Sequence, residues 1–189
     1  MKKYSIEIDD REPIKFTCPE SWEEVTVGQY IKMESEDWQG DDVIKLLSIL
    51  SGETLQELDN LKDVKQLTDA LEELTKFTMN KPPEWDKLKG SKYIVLGGKK
   101  LIVPTDIEGK RLGQKIMLSQ IMRGGDLVKM IPQAMAIYFQ PEYDNSNFNR
   151  DRLPKIEQLI NEMPIVEAYP VVRFFFRMLR EQKLNGTTF

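Results

Sequence analysis

The sequence contains no histidine among its 189 residues and only one cysteine, Cys18. Imidazole is the usual general base near neutral pH and the commonest zinc ligand in proteins. Its absence excludes Ser-His-Asp and Cys-His catalysis, and the ligand count excludes zinc-finger, zinc-ribbon and iron–sulfur sites. We therefore expect no catalytic residues, no cofactor and no bound metal, although carboxylate chemistry with magnesium stays open.

Long apolar runs are also missing. No run approaches the roughly 18 to 20 residues that span a bilayer, and the opening MKKYSIEIDD lacks the apolar stretch of a signal peptide. A lone cysteine cannot form an internal disulfide, which fits a reducing compartment. We expect an intracellular protein without a membrane partner.

Composition and length predict a folded chain. Hydrophobic residues make up 40% and charged residues 31% of the sequence, as in ordinary globular proteins. A chain of this length can bury one sizeable core, so we predict a single domain over residues 1–189. The alternative is two lobes: a hairpin with acidic helices over 1–80, and a hairpin with basic helices over 92–189.

Charge is divided unevenly between the two halves. Residues 1–90 hold 12 Lys/Arg against 21 Asp/Glu, and residues 91–189 hold 15 against 10. The halves therefore carry net charges of about −9 and +5. Opposite patches can steer neighbouring copies together or serve contact with nucleic acid, and they can also pair inside one monomer.

The hydrophobic pattern predicts a mainly α fold with two small β-hairpins, an α+β arrangement with a minor β part and a compact helical domain. One hairpin joins residues 4–8 to 14–18, and the other joins 93–96 to 101–103 through Gly97-Gly98. Capping boxes at Ser21-Trp22-Glu23-Glu24 and Thr26-Val27-Gly28-Gln29 predict a helix from near Val27. Further helices are predicted at 43–50, after the Thr54-Leu55-Gln56-Glu57 cap, over 64–77, 112–122, 127–139 and 153–163, and from Pro164 to about Lys183.

Two motifs superficially indicate ligand sites. Gly97-Gly98-Lys99-Lys100 lacks the longer glycine frame and the Lys-Ser/Thr pair of a phosphate loop, so a hairpin turn is favoured. Asp41, Asp42 and Asp144 offer oxygen ligands for calcium or magnesium. Their spacing does not match a calcium-binding loop, so helix capping or loop solvation is the favoured interpretation.

The most pointed feature is an arginine stripe in the last helix, formed by Arg173, Arg177 and Arg180. The spacing i, i+4 and i+7 places the three on one helix face. They can contact an acidic protein partner or nucleic-acid phosphates, or simply face water and intramolecular acids. Trp22, Tyr30 and Trp38 lie in an acidic segment that would repel phosphates, so core packing or protein contact is favoured there.

The stretch Pro19-Glu20-Ser21-Trp22-Glu23-Glu24-Val25-Thr26-Val27-Gly28-Gln29-Tyr30 resembles an opening found in small proteins of tailed bacteriophages, including crAss-like and other Bacteroides phages. The order of later segments is similar too: Leu46 to Gly52, then Tyr138-Phe139-Gln140-Pro141, then a closing Phe-rich helix. This resemblance implies a virion or assembly role, as a ring protein of the neck or tail or as a tail assembly chaperone. It implies no individual functional residue.

We therefore expect a structural subunit of a tailed-phage virion, in which homo-oligomeric head-to-tail contacts form part of a neck or tail ring. The expected partners are copies of the chain and portal, tail or neck proteins. The expected location is the virion, after assembly in the host cytoplasm. A chaperone absent from the mature virion is the alternative, followed by a magnesium-dependent carboxylate enzyme. The isoelectric point of about 5.1 argues against a general nucleic-acid binder, although the positive half can face packaged DNA.

Overall fold

The structure, a computed structural model, describes residues 1–6, 12–36, 43–59, 65–79, 84–103, 112–122 and 126–184. Within these ranges the chain is mainly α-helical with two small antiparallel hairpins, which confirms the predicted fold class. The chain divides into two units. Unit 1 comprises residues 1–25 and 29–83, and unit 2 comprises residues 26–28 and 84–189. Whether these units are lobes of one domain stays a prediction.

Unit 1 contains the first hairpin and four helices. In chain order these are β1 (Lys2–Ile6), β2 (Ile14–Cys18), α1 (Val27–Ser35, in this unit from Gln29 onward), α2 (Val43–Ser51), α3 (Leu55–Asp59) and α4 (Lys65–Met79). The hairpin is confirmed, and its register pairs Tyr4 with Phe16, whose rings stack at 5.3 Å. β1 begins at Lys2, earlier than predicted, and its predicted end at Ile8 lies outside the described residues.

Turn chemistry explains how α2 ends and α3 begins. Gly52 follows α2 with φ = 83°, a left-handed conformation in which glycine has no Cβ penalty. The predicted capping box after it is confirmed: the Thr54 hydroxyl donates to the Glu57 carboxylate at 2.6 Å, and the Glu57 N–H donates back at 3.3 Å. The box predicted at Ser21 is wrong in detail, because Ser21 makes no side-chain cap to the short 3₁₀ turn at Trp22–Glu24.

The core of unit 1 lies between the hairpin and the helices α2 and α4. The apolar periodicity of both helices predicts this burial. The buried side chains of unit 1 in the described ranges are Ile6, Phe16, Cys18, Val25, Tyr30, Leu47, Leu50, Leu58, Leu67, Ala70 and Leu74.

Unit 2 contains the second hairpin and four helices. In chain order these are β3 (Tyr93–Leu96), β4 (Lys99–Ile102), α5 (Leu112–Met122), α6 (Leu127–Asp144), α7 (Leu153–Asn161) and α8 (Ile165–Leu184). The predicted Gly97-Gly98 turn is confirmed, with φ values of 53° and 77°. Asp126 caps α6, accepting hydrogen bonds from the N–H groups of Val128 and Lys129. The helix is longer than predicted, since it continues past Pro141 to Asp144.

Helix α6 forms the centre of unit 2. Its residues Tyr138 and Phe139 are buried and contact Phe175 of α8, with Tyr138 and Phe175 stacked at 4.3 Å. Such offset aromatic pairs add to the stabilisation from burial alone. None of the helices in the described ranges is long and apolar enough to cross a membrane.

Three residues from the first part of the sequence belong to unit 2. Thr26 forms an antiparallel bridge with Pro164, and the N–H of Val27 donates to the carbonyl of Met163 at 2.8 Å. Gly28 lies so close to Asn161 that an added Cβ would meet its backbone oxygen at 3.2 Å. The start of α1 therefore packs on the turn between α7 and α8.

Candidate interaction surfaces

The arginine stripe occupies two different environments. Arg173 is half-buried, and its guanidinium donates a 3.0 Å hydrogen bond to the backbone carbonyl of Trp85. The Trp85 ring packs on Tyr169 of α8 at 4.9 Å. Arg173 and Tyr169 thus hold the short 3₁₀ turn at Trp85–Lys87 against the last helix.

Arg177, one turn further along α8, is exposed, with its guanidinium 5.8 Å from the ring centroid of Phe174. This distance allows a cation–π contact. Arg180 lies in α8, but its side chain is outside the described part of the chain. A stripe that contacts a partner stays a prediction, and Arg177 is its exposed member among the side chains described.

Of the three aromatic candidates, two come together in unit 1. Trp22 and Tyr30 meet edge to face, with ring centroids 6.0 Å apart and an interplanar angle of 77°. Tyr30 is buried and Trp22 is half-buried. This geometry serves packing at the entry of α1, and their role in partner contact stays a prediction. Trp38 lies outside the described residues.

Of the three carboxylate candidates, Asp144 lies among the described residues. Asp144 accepts a 2.8 Å hydrogen bond from Gln140 and pairs with Arg152 at 3.4 Å. The Gln140 hydrogen bond and then Arg152 lower the pKa of Asp144. Among the described residues no three Cys, Asp or Glu side chains come together to hold a metal ion. Asp41 and Asp42 lie outside those residues.

A surface that the sequence analysis missed lies on the β3–β4 hairpin. Register pairs Tyr93 with Ile102 and Val95 with Lys100, so these four side chains share one side of the ladder, here called the hairpin face. Tyr93, Val95 and Ile102 are 44%, 58% and 63% exposed. The Lys100 ammonium lies 4.1 Å from the Tyr93 ring centroid.

The hairpin is fixed to unit 2 at its turn and through its opposite side. Lys99 donates to the carbonyl of Tyr143 at 2.7 Å and lies 4.6 Å from the Tyr143 ring centroid. A Cβ on Gly97 would meet the Tyr143 hydroxyl at 2.8 Å and Leu159 at 3.1 Å. These close contacts make the hairpin face a preformed surface.

One signal in the sequence could have identified this face. Residues 93–96 read Tyr-Ile-Val-Leu and are apolar at every position, whereas a strand buried on one side alternates apolar and polar residues. A two-stranded hairpin packed on one side leaves its other side uncovered. The continuous apolar run therefore indicates exposed hydrophobic surface.

The two units differ in net charge. Unit 1 holds 10 Lys/Arg against 19 Asp/Glu, a net −9, and unit 2 holds 17 against 12, a net +5. Comparison of the chain with protein-family models, curated proteins and solved structures finds no match in any of the three.

Proposed function

We propose that this chain is a structural subunit of a tailed-phage particle, in which copies join head to tail to form part of a neck or tail ring. Unit 1 of one copy faces unit 2 of the next copy. Heterologous contacts of this kind generate closed rings when the rotation between copies permits. The proposed role is non-enzymatic.

The observation that carries the proposal is the opposite charge of the two units. A net −9 on unit 1 and +5 on unit 2 make two copies electrostatically complementary in one orientation. The same charges disfavour unit 1 meeting unit 1. A ring requires contact between two different surfaces of the chain, whereas a two-fold dimer uses the same surface on both copies.

The phage context is supported by the resemblance of residues 19–30 to openings of tailed-phage proteins. The same resemblance extends to tail assembly chaperones, which gives a second candidate function. The exposed hairpin face is compatible with that candidate as well, because a chaperone must offer apolar surface to an unassembled partner.

Purified protein tests the ring. Sedimentation at low salt should detect a defined multimer, and raising the salt from 50 mM to 500 mM should weaken it because charge complementarity is screened. Charge reversal at Arg177 should weaken the multimer further. A strict monomer would contradict the proposal.

Proteomics of intact purified particles separates the two candidates. A ring subunit should be present in virions at a fixed ratio to the portal protein. A chaperone should be present in infected cells and absent from virions. If the chain is missing from both particles and assembly intermediates, neither function holds.

A magnesium-dependent carboxylate enzyme is tested by alanine replacement of Asp41, Asp42 and Asp144. For a structural subunit we expect assembly to be retained in the Asp41 and Asp42 variants and thermal stability to be independent of magnesium. A magnesium-dependent rise in melting temperature that these replacements abolish would favour the enzyme instead.

A further inference from the structure

The hairpin face has more apolar surface than the fold requires. The opposite side of the ladder already supplies core contacts, since Ile94, Leu96 and Leu101 are 2%, 0% and 7% exposed. Tyr93, Val95 and Ile102 lie on the other side, where polar residues would cost nothing in core packing. Exposed apolar patches rimmed by polar groups mark interaction sites.

The segment that carries this face is rich in lysine. Residues 87–102 contain five lysines and no acidic residue. All five lysines are exposed: Lys87, Lys89, Lys92, Lys99 and Lys100. Lys100 lies on the hairpin face itself, whereas Lys99 lies on the opposite side of the ladder and Lys87 pairs with Glu84. Negative charge on the partner would therefore complement Lys100 on the face and the net positive charge of unit 2.

We propose that the hairpin face docks on the acidic unit 1 of a second copy of this chain. The inference rests on the proposed head-to-tail ring and names the surface that makes its contact. The apolar side chains Tyr93, Val95 and Ile102 are desolvated at the centre of the contact. Lys92 and Lys100 pair with carboxylates at its rim.

Charge decides between the available arrangements of two copies. Two hairpin faces in contact would bring two sets of lysines together, and like charges across an interface disfavour it. Unit 1 of a second copy offers the opposite sign. Asp69 and Glu72 are exposed and lie three residues apart on one side of α4, beside Glu73, which pairs with Lys2.

The first experiment removes the apolar part of the face and keeps its strand propensity. The double variant Val95→Thr/Ile102→Thr should raise the dissociation constant for self-association about tenfold or more in sedimentation equilibrium. The matched control is Leu112→Gln in α5, because Leu112 is 64% exposed and Ile102 is 63% exposed. The control should leave self-association unchanged. Circular dichroism verifies that each variant is folded.

The second experiment exchanges charge between the two proposed surfaces. Lys92→Glu/Lys100→Glu places negative charge on the hairpin rim, and Asp69→Lys/Glu72→Lys places positive charge on α4. Each variant alone should be monomeric at concentrations where the wild type associates. An equimolar mixture should associate again, because each repelling surface then meets its complement.

The outcomes separate this inference from the ring proposal. Multimers that are unaffected by the hairpin variants, or a mixture that fails to associate, overturn the docking surface and leave the ring intact. Loss of association in both hairpin variants with recovery in the mixture supports the surface, even if the chain is absent from virions. A chain that is monomeric at every concentration overturns both proposals. Binding of the hairpin face to another virion protein in place of unit 1 overturns the docking surface only.

Discussion

The side-chain amide of Gln114 donates a 2.8 Å hydrogen bond to the backbone carbonyl of Ile137. Ile137 lies four residues before Pro141 in α6. Its carbonyl would normally accept from the N–H of residue 141, and proline has no N–H. Both Gln114 and Ile137 are buried, so α5 supplies the donor that the sequence of α6 lacks.

Gln114→Leu should lower the free energy of unfolding by about 1 to 3 kcal/mol, because it leaves the buried Ile137 carbonyl unsatisfied. Pro141→Ala restores a backbone donor for the same carbonyl. In the Pro141→Ala variant, Gln114→Leu should lower the free energy of unfolding by clearly less. Urea unfolding of the wild type, both single variants and the double variant measures the coupling. Equal losses in the two backgrounds would refute this role of Gln114.

Arg173 and Arg177 form a matched pair in α8. Arg173→Met should lower the free energy of unfolding by about 1.5 to 3 kcal/mol, because a charge-assisted hydrogen bond to the Trp85 carbonyl is lost. Arg177→Met should change it by less than about 0.5 kcal/mol, since Arg177 is exposed. Chemical denaturation monitored by circular dichroism gives both values. A larger loss of stability in Arg177→Met than in Arg173→Met would contradict this prediction.

The turn glycines offer a second matched pair. Gly97→Ala should destabilise unit 2 more than Gly98→Ala does. Both positions have positive φ, which costs an L-residue roughly 1 to 2 kcal/mol. Only at Gly97 does the new Cβ also meet Tyr143 and Leu159, whereas nothing lies within 4 Å at Gly98. Thermal unfolding of both variants tests the order, and a greater loss at Gly98 would contradict it.

The Asp144 carboxylate should make stability depend on acid pH. Its pKa is lowered in the folded chain below the unfolded value of 3.8, through Gln140 and Arg152. The stabilisation is therefore fully present above about pH 4 to 5 and is lost as pH falls through the folded pKa. Asp144→Asn should be less stable than the wild type at pH 6, and the difference should shrink towards pH 2. Asp151→Asn, which removes an exposed carboxylate in the next turn, is the control for the change in net charge.

Local signals predicted most of the elements. The alternation across residues 4–8 and 14–18, the glycine pair at 97–98 and the Thr54 capping box each encode local geometry, which the structure shows in the described residues. The end of α6 was predicted wrongly for a non-local reason. Pro141 is a helix breaker by its own chemistry, and α6 tolerates it because Gln114 of another helix compensates.

The candidate site was less predictable than the fold. Helical spacing places Arg173 and Arg177 on one face, but it cannot reveal that the Trp85 carbonyl, 88 residues away, lies within reach of Arg173. Likewise, apolar residues at 93–96 predict a strand, but which side is covered depends on α6 and α7. In both cases the answer depends on contacts between segments that are far apart in the sequence.

The hydrogen bond from the Val27 N–H to the Met163 carbonyl affects how the protein folds during synthesis and where its chain can be divided into fragments. During synthesis the start of α1 leaves the ribosome long before its acceptor does, so unit 2 cannot be completed until residues 163–164 have emerged. A gene split after residue 83 would also separate residues 26–28 from the helices they pack on. We expect the two fragments to require co-expression. A chain that joins residues 26–28 directly to residues 84–189 should be the better starting point for isolating unit 2.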